Sequence, residues 1–248
     1  MPEITDAVIL MAGNGSRLRA SGEMLPKPLV PILGRPLISY VIDALRQVGV
    51  RNLHPIVRPN ADAFVAALHA LVPPPMRLIP ISNPDPQKQN GISALCAAGK
   101  VREPFFLLMG DHLFDASILE LLVAEGERNE LNLAVDRKIE TVFDVDDAMK
   151  VETRGDRMIA IGKDLLTYNA IDTGVFLCPN DLFGYLRRAQ RGGDCSLADG
   201  VRLMAAEGKV RATDIGDAWW QDVDTFAMRT RAEEELGKRA DLSLLAPR

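Results

Sequence analysis

The sequence contains little cysteine, with three residues in a chain of 248. Cys96, Cys178 and Cys195 lie far apart, and no CxxC motif is present. An odd number of cysteines without metal-binding spacing argues against a disulfide framework and against a zinc site. We interpret all of them as reduced thiols that pack in the interior.

Long apolar runs and an excess of basic charge are also missing. No apolar segment approaches the roughly 20 residues that cross a bilayer, and the N-terminal segment carries Glu3 and Asp6 in place of the basic region of a signal peptide. The formal net charge of −5 argues against a broad nucleic-acid-binding surface. We therefore expect a soluble, cytoplasmic protein without membrane insertion and without a nucleic-acid partner.

Apolar segments of strand length alternate with amphipathic segments of helix length as far as residue 135. The predicted strands are Ala7–Met11, Leu53–Val57, Met76–Ile81, Pro104–Met109 and Leu131–Val135. The predicted helices are Leu37–Val48, Ala61–Leu71, Ile92–Lys100 and Ser117–Arg128. This order predicts an α/β fold with a mostly parallel sheet and helices on both faces.

The later segments are shorter and more mixed. We predict strands and helices, in chain order, at Lys150–Glu152, Met158–Ile161, Gly174–Cys178, Leu182–Gln190, Leu197–Glu207, Val210–Thr213 and Phe226–Lys238. Neither a linker nor an internal repeat is visible. We therefore expect one domain over residues 1–248, with a nucleotide-binding half (1–135) and an acceptor-binding half (136–248).

A glycine-containing segment follows the first predicted strand. It runs through Gly13, Asn14, Gly15, Ser16 and Arg17. Its glycines allow backbone N–H groups to approach phosphate oxygens closely. The segment lacks both the third glycine of a dinucleotide fingerprint and the Gly-Lys-Ser/Thr of a Walker loop, and taken alone it is also compatible with an ordinary turn.

Two cations accompany this segment, Arg17 and Lys27. Either one alone is also explained as a solvated surface charge. Lys27, however, lies between Pro26 and Pro28, which restrict the backbone and lower the entropic cost of presenting the side chain. A restrained lysine beside a phosphate-binding loop indicates charge neutralisation in phosphoryl chemistry.

Carboxylates occur in two places that suit a cation. Asp111 follows Gly110 at the end of the most apolar predicted strand, where open α/β sheets bind ligands. Mg²⁺ is held by one or two carboxylates together with phosphate oxygens. Asp222 and Asp224 alternate along an extended segment, which places them on the same side and makes them candidates for a second carboxylate. A helix cap or a turn is the alternative interpretation, and we assign no catalytic role to His112.

Two further residues suit a phosphorylated acceptor. Lys163 is a candidate for binding its phosphate, and Asp172 for binding a hydroxyl group. A surface lysine and a turn are the alternatives for this pair, just as a loop and a helix start are for the segment from Asn90 to Ser93.

Taken together, the motifs resemble those of the sugar-nucleotidyltransferase superfamily. They are the glycine loop ending at Arg17, Pro26–Leu29, Gly110–Asp111 and Trp220–Asp222, in that order. Finer features are similar to one branch, the CTP:inositol-1-phosphate cytidylyltransferases. These features are Met109–Phe114, Val142–Val151, Ile161–Leu165, Ala170–Cys178 and Trp220–Thr225.

The resemblance implies a Rossmann-like three-layer α/β/α sandwich with a mostly parallel mixed sheet, of the nucleotide-diphospho-sugar transferase type. It implies Arg17 and Lys27 as catalytic residues, and Mg²⁺ as cofactor on Asp111, Asp222 and Asp224. The implied nucleotide-binding residues are Ala12, Gly13, Asn14, Gly15, Ser16, Asn90, Gly91, Ser93 and Asp111. The implied acceptor-binding residues are Lys163, Asp172, Thr173 and Gly174.

The resemblance further implies transfer of CMP from CTP to inositol 1-phosphate, with CDP-inositol and pyrophosphate as products. One alternative is a sugar-1-phosphate nucleotidyltransferase that uses UTP or dTTP, or a phosphocholine cytidylyltransferase. Another is a non-catalytic regulatory protein that binds nucleotide sugars. The presence of both Lys27 and Asp111 argues against the regulatory protein.

Overall fold

A computed structural model of the chain describes residues 3–13 and 25–245. The strands are β1 (Asp6–Leu10), β2 (Pro31–Ile32), β3 (Arg35–Pro36), β4 (Asn52–Val57), β5 (Arg77–Leu78), β6 (Ile81–Ser82), β7 (Phe105–Met109), β8 (His112–Phe114), β9 (Leu131–Asp136), β10 (Lys150–Arg154), β11 (Arg157–Gly162), β12 (Ala170–Cys178), β13 (Val210–Asp214) and β14 (Trp220–Asp222). The helices are α1 (Leu37–Gln47), α2 (Asp62–Leu71), α3 (Asn90–Leu95), α4 (Ala116–Glu125), α5 (Asp181–Ala189), α6 (Leu197–Ala206) and α7 (Phe226–Leu245). Short 3₁₀ turns cover Lys27–Leu29 and Ile139–Thr141.

A mixed sheet contains most of these strands. Its order is β10-β11-β13-β9-β12-β7-β1-β4-β5, and β6 also pairs with β4. Strands β7, β1, β4, β5 and β6 run parallel, as do β13 and β9. Strand β12 lies antiparallel between β7 and β9, so strands from both predicted halves of the chain alternate in the sheet. The predicted α/β fold class is confirmed.

Side chains of the sheet point alternately into two apolar cores. On one face, Val8 and Phe105 pack with residues of α3, α5 and α6. On the other face, Ile9 and Phe106 pack with residues of α1, α2 and α4. Successive strand residues point to opposite faces, so a strand covered on both sides is apolar throughout, as β7 is. The result is the three-layer arrangement that the sequence predicts.

The predicted third strand is interrupted. In place of Met76–Ile81, the chain forms β5 and β6, each paired parallel with β4. Pro80 lies between the two pieces and has no backbone N–H to donate to a ladder. At the other end of the chain, α7 continues to Leu245, past the predicted end at Lys238.

A small ribbon beside the main sheet is not predicted by the sequence pattern. Strands β8 and β14 pair antiparallel, with Trp220 opposite Phe114 and Asp222 opposite His112. Leu113 on the other side of the ribbon packs into a third apolar cluster. Because β8 begins directly after β7 and Asp111, the ribbon brings residues near the C-terminus to the carboxyl edge of the sheet.

Within residues 3–13 and 25–245, no helix is both long enough and apolar enough to cross a membrane.

Candidate active site

The carboxyl ends of β1 and β7 meet at one edge of the sheet. The N–H group of Gly110 donates to the carbonyl of Leu10 over 3.0 Å. A Cβ atom on Gly110 would lie 2.7 Å from Cγ of Met11 and 2.9 Å from the Leu10 oxygen. Any side chain at this position would therefore push the two strand ends apart. The glycine allows the segment ending at Gly13 and the carboxylate of Asp111 to share this edge.

Lys27 reaches the same edge from a 3₁₀ turn that follows Pro26 and includes Pro28. Its ammonium group lies 3.1 Å from Oδ2 of Asp111 and also contacts Oδ1 of Asp224. The Lys27 side chain is only 15% exposed, and charge interactions are stronger in such surroundings than in bulk water. The fold thus joins three of the predicted site residues that are distant in sequence.

Asp222 is placed beside Asp111 by the β8–β14 ribbon. The N–H of Val223 donates to the backbone oxygen of Asp111 over 2.9 Å, which holds the end of β14 against the end of β7. The hydroxyl of Thr225 accepts from the N–H of Met228 and so caps α7. The carboxylate of Asp224 contacts Lys27 instead of capping the helix.

A cavity of about 310 Å³, here called the acidic cavity, opens between the ribbon, β11 and β12. Its ionisable lining residues are Asp111, His112, Asp144, Asp147, Lys163, Asp172, Asp222 and Asp224. Carboxylates outnumber cations in this lining. An anionic substrate therefore needs further positive charge to enter, which a divalent metal ion would supply.

The donors of the acidic cavity fit Mg²⁺. Within the described part of the chain, no cluster of three or more histidine, cysteine, aspartate or glutamate residues is arranged to hold a metal by itself. Mg²⁺, however, needs only one or two carboxylates, because it keeps several waters and binds substrate phosphates. Asp111 and Asp222 offer that number of hard oxygen donors on one wall.

Lys163 and Asp172 both line the acidic cavity. Lys163 follows the end of β11 and contacts the carboxylate of Asp147. Burial raises the pKa of Asp172 to about 6, although the N–H of Gly174 and the charge of His112 favour the ionised form. A carboxyl group with this pKa is present in both protonation states near pH 6, where it can accept and donate hydrogen bonds to hydroxyl groups.

Of the other two predicted acceptor residues, Gly174 lines the acidic cavity and Thr173 does not. Thr173 is fully buried, and its hydroxyl donates to the carbonyl of Ala134 over 2.8 Å. Alternation along β12 turns this side chain away from its neighbour Asp172, and the assignment of Thr173 to the acceptor site stays a prediction. Gly174 has φ of +74° and makes room for the ring of His112.

His112 begins β8, and its ring lies between Trp220 of β14 and the backbone of β12 at Gly174. Its Nδ1 lies 2.9 Å from Oδ1 of Asp111, and its ring stacks on Trp220 with centroids 5.9 Å apart. Burial alone would lower the pKa of His112. The hydrogen bond to Asp111 and the charges of Asp111, Asp222 and Asp172 outweigh burial, so this pKa lies above its usual value.

The predicted nucleotide-binding residues of α3 have mostly structural contacts. Asn90 lines the acidic cavity, and its Oδ1 accepts from the N–H of Leu197. The hydroxyl of Ser93 is buried and accepts from Asn83. A Cβ on Gly91 would lie 2.6 Å from the carbonyl oxygen of Cys195. The hydroxyl of Ser93 is thus used within the protein, its assignment to the nucleotide site stays a prediction, and Gly91 is required for close packing of α3.

The remaining predicted residues lie in the glycine loop. Gly13 lines a second cavity, and Ala12 is buried directly before it. The other four lie outside the described residues: Asn14, Gly15, Ser16 and Arg17.

The second cavity, here called the loop cavity, has a volume of about 270 Å³. It is lined by Gly13, Lys27 and Asp111, and also by Arg58 and Asn60, which the sequence analysis does not identify. Arg58 comes directly after β4, so the rule that ligands bind at the carboxyl ends of strands would have found it. Because Asp111 lines both cavities, one carboxylate lies between two potential substrate sites.

Asp144 and Asp147 have no role assigned from the sequence. Both line the acidic cavity, in the connection between β9 and β10. They belong to Val142–Val151, one of the segments that carry the resemblance, but an acidic run of this kind is equally typical of a solvated loop.

Known proteins with similar sequences cover most of the chain. The MobA-like NTP transferase domain family matches residues 7–191. A bifunctional IPC transferase and DIPP synthase of Aquifex aeolicus is 31% identical over 241 residues, which cover 96% of this chain and 53% of that protein. The corresponding protein of Rubrobacter xylanophilus is 34% identical over 221 residues, covering 88% of this chain and 49% of its own. The chain thus spans about half the length of these curated relatives.

Two solved structures have a fold similar to that of this chain. The inositol-1-phosphate CTP transferase from T. maritima superposes with a TM-score of 0.82 at 27% identity, covering 94% of this chain and 97% of that one. A UDP-glucose pyrophosphorylase in complex with UDP-glucose superposes with a TM-score of 0.78 at 15% identity, covering 95% of this chain and 99% of that one. The second likeness is one of fold alone.

Proposed function

Since this chain belongs to the MobA-like NTP transferase domain family, we propose that it transfers CMP from CTP to inositol 1-phosphate. The products are CDP-inositol and pyrophosphate. The observation that carries the proposal is the position of Asp111, in contact with Lys27 and shared between the loop cavity and the acidic cavity. Relatives named for this chemistry cover most of the chain.

Each of the two cavities binds one substrate. The triphosphate binds along the glycine loop, with Lys27 beside the phosphates that leave as pyrophosphate. The acceptor binds in the acidic cavity, with its phosphate near Lys163 and its ring hydroxyls near Asp172. Arg17 belongs with Lys27 by its place in the sequence motif. The α-phosphate lies next to Asp111, where the two substrates meet.

The reaction is an in-line displacement at phosphorus. A phosphate oxygen of the acceptor attacks the α-phosphorus of CTP, and the bond from that phosphorus to the oxygen bridging the α- and β-phosphates breaks. The electron pair of this bond leaves with pyrophosphate. The nucleophile is already anionic near neutral pH, so the protein need not supply a general base. The main obstacle is repulsion between two anions, which positioning and cationic groups overcome.

Mg²⁺ is the proposed cofactor, held by Asp111 and Asp222 together with phosphate oxygens. When bound, it neutralises phosphate charge in the reacting complex. Asp224 remains a helper, because its carboxylate is engaged by Lys27. Lys27 in turn fixes the carboxylates between which it lies and supplies a positive charge to the leaving phosphates. A cytoplasmic location stays a prediction from the sequence.

A substrate matrix tests the proposal. CTP, UTP, dTTP and ATP are each combined with inositol 1-phosphate, glucose 1-phosphate and phosphocholine, with Mg²⁺ present, and released pyrophosphate is measured. We expect the fastest release from CTP with inositol 1-phosphate, and none from the Asp111→Ala variant. Faster release from UTP or dTTP with glucose 1-phosphate would replace the proposed substrates. Absence of release from every pair would favour a binding protein without catalytic activity.

A further inference from the structure

We propose that His112 is a positioning residue, which holds the Asp111 carboxylate in the orientation needed to bind the divalent metal ion. The inference rests on the proposed function for the identity of that ion's site. It assigns to His112 a role that the sequence analysis withholds. The contacts of Asp111, of the imidazole ring and of Trp220 support it in turn.

The Asp111 carboxylate contacts a different partner through each of its oxygens. Oδ1 of Asp111 lies 2.9 Å from Nδ1 of His112, and Oδ2 lies 3.1 Å from the ammonium group of Lys27. The two oxygens are thus bound by different partners, which restricts rotation of the carboxylate. A carboxylate oxygen carries two lone pairs, so one oxygen can accept a hydrogen bond and also bind a metal ion.

The ring of His112 is held on two sides. Trp220 stacks against it with an interplanar angle of 19°. On the β12 side, a Cβ at Gly174 would lie 2.8 Å from Cδ2 and 2.9 Å from Nε2 of the ring. Gly174 has φ of +74°, a conformation that favours glycine. The backbone of β12 thus approaches the imidazole as closely as glycine permits, and the ring has little freedom to turn away from Asp111.

The indole ring of Trp220 is itself held by a hydrogen bond. Its indole N–H donates to Oδ2 of Asp136 over 3.0 Å. Asp136 ends β9 and is buried, and its other oxygen accepts from Lys138 over 2.8 Å. The hydrogen bonds and the ring stack therefore connect the end of β9 to Asp111. Groups that orient a metal ligand in this way typically change metal affinity by about 10- to 100-fold when they are removed.

Two substitutions separate the hydrogen bond from the ring packing. His112→Phe keeps an aromatic ring against Trp220 and removes the donor to Asp111. His112→Asn removes the ring and keeps an N–H donor near the position of Nδ1. His69→Phe, at an exposed position of α2, is the matched control. Mn²⁺ serves as the probe, and free Mn²⁺ is measured by electron paramagnetic resonance in the presence of CTP and without acceptor.

We expect His112→Phe to bind Mn²⁺ about 10-fold more weakly than the parent or worse. We expect His112→Asn to stay within about threefold of the parent, because its amide N–H restores the hydrogen bond to the Asp111 carboxylate. The control variant should match the parent. Thermal unfolding of each variant identifies loss of fold, and the comparison of Phe with Asn is made on variants that unfold cooperatively.

Three results would overturn the proposal. They are equal Mn²⁺ affinity of His112→Phe and the parent, equal weakening in both His112 variants, and absence of Mn²⁺ binding by the parent with CTP. Failure of the proposed function appears differently. In that case the parent releases no pyrophosphate from CTP and inositol 1-phosphate, while the Mn²⁺ titration still compares the variants.

Discussion

The ammonium group of Lys27 lies 3.1 Å from a carboxylate oxygen of Asp111, although 84 residues separate them in sequence. The prolines beside Lys27 and the absence of a side chain at Gly110 both serve this contact. Asp224 approaches the same ammonium group from the C-terminal part of the chain. The contact therefore joins the beginning, the middle and the end of the sequence at one charged centre.

Replacing Lys27 by alanine should reduce turnover strongly. The ammonium group faces the phosphates in the proposed reaction, and losing one such electrostatic contact costs on the order of 10²- to 10³-fold in kcat. Pyrophosphate release at saturating CTP and acceptor measures the effect. Lys100→Ala removes an exposed lysine and should retain normal turnover. If Lys27→Ala folds normally and turns over within threefold of the parent, its catalytic assignment fails.

Replacing Lys163 by alanine should act on the acceptor rather than on CTP. Lys163 lines the acidic cavity, where it is the cation beside Asp147. Loss of its charge leaves the carboxylates of the lining to repel a phosphate group. We expect the KM for inositol 1-phosphate to rise about 10-fold, the size of one charge-assisted contact, with a much smaller change in the KM for CTP. A larger effect on the KM for CTP would indicate that Lys163 contacts the nucleotide rather than the acceptor.

Glycines of two helices provide a matched test of packing. A Cβ on Gly91 would lie 2.6 Å from the Cys195 oxygen and 2.7 Å from the Ser196 oxygen, whereas Gly184 has open space around it. Gly91→Ala should lower the free energy of unfolding by about 1–3 kcal/mol because backbone must shift. Gly184→Ala should raise it by about 0.5–1 kcal/mol, because alanine loses less entropy in a helix. Urea unfolding measures both, and equal effects of the two substitutions would contradict the packing analysis.

Much of the fold follows from local pattern. Strands such as β7 are fully apolar because helices cover both faces, and that pattern is visible in sequence. The ribbon of β8 and β14 is not visible, because its strands are short and pair over a long sequence separation. The interruption at Pro80 follows from the missing N–H of proline, although an apolar run alone predicts a continuous strand.

Some residues of the candidate site can be identified from sequence, and others only from the fold. Lys27 and Asp111 stand in motifs with a local chemical signal, whereas Asp144 and Asp147 belong to an acidic run that only the fold turns toward the cavity. For Thr173 the sequence motif and the strand register point in different directions. Its motif resembles a binding segment, but the register of β12 directs its hydroxyl to Ala134. Side-chain direction depends on strand pairing, which a single sequence does not specify.

The contribution of Asp172 to the free energy of unfolding should fall as the pH rises. Burial raises its pKa to about 6 from the ordinary 3.8, so the folded state binds more protons than the unfolded state between these values. Stability from this group therefore falls as pH rises through that window, and the ionised group above it costs up to about 3 kcal/mol. Asp172→Asn removes this cost while keeping an acceptor for the N–H of Gly174.

The difference in unfolding free energy between Asp172→Asn and the parent should therefore become more favourable to the variant between pH 4 and pH 8. Urea titrations across this range measure it. Glu120→Gln, at an exposed position of α4, controls for the loss of one negative charge and should give a nearly constant difference. If the Asp172→Asn difference is flat, or grows toward low pH, Asp172 is ionised in the folded protein throughout the window. Its proposed dual role as donor and acceptor to the hydroxyls of the acceptor would then be lost.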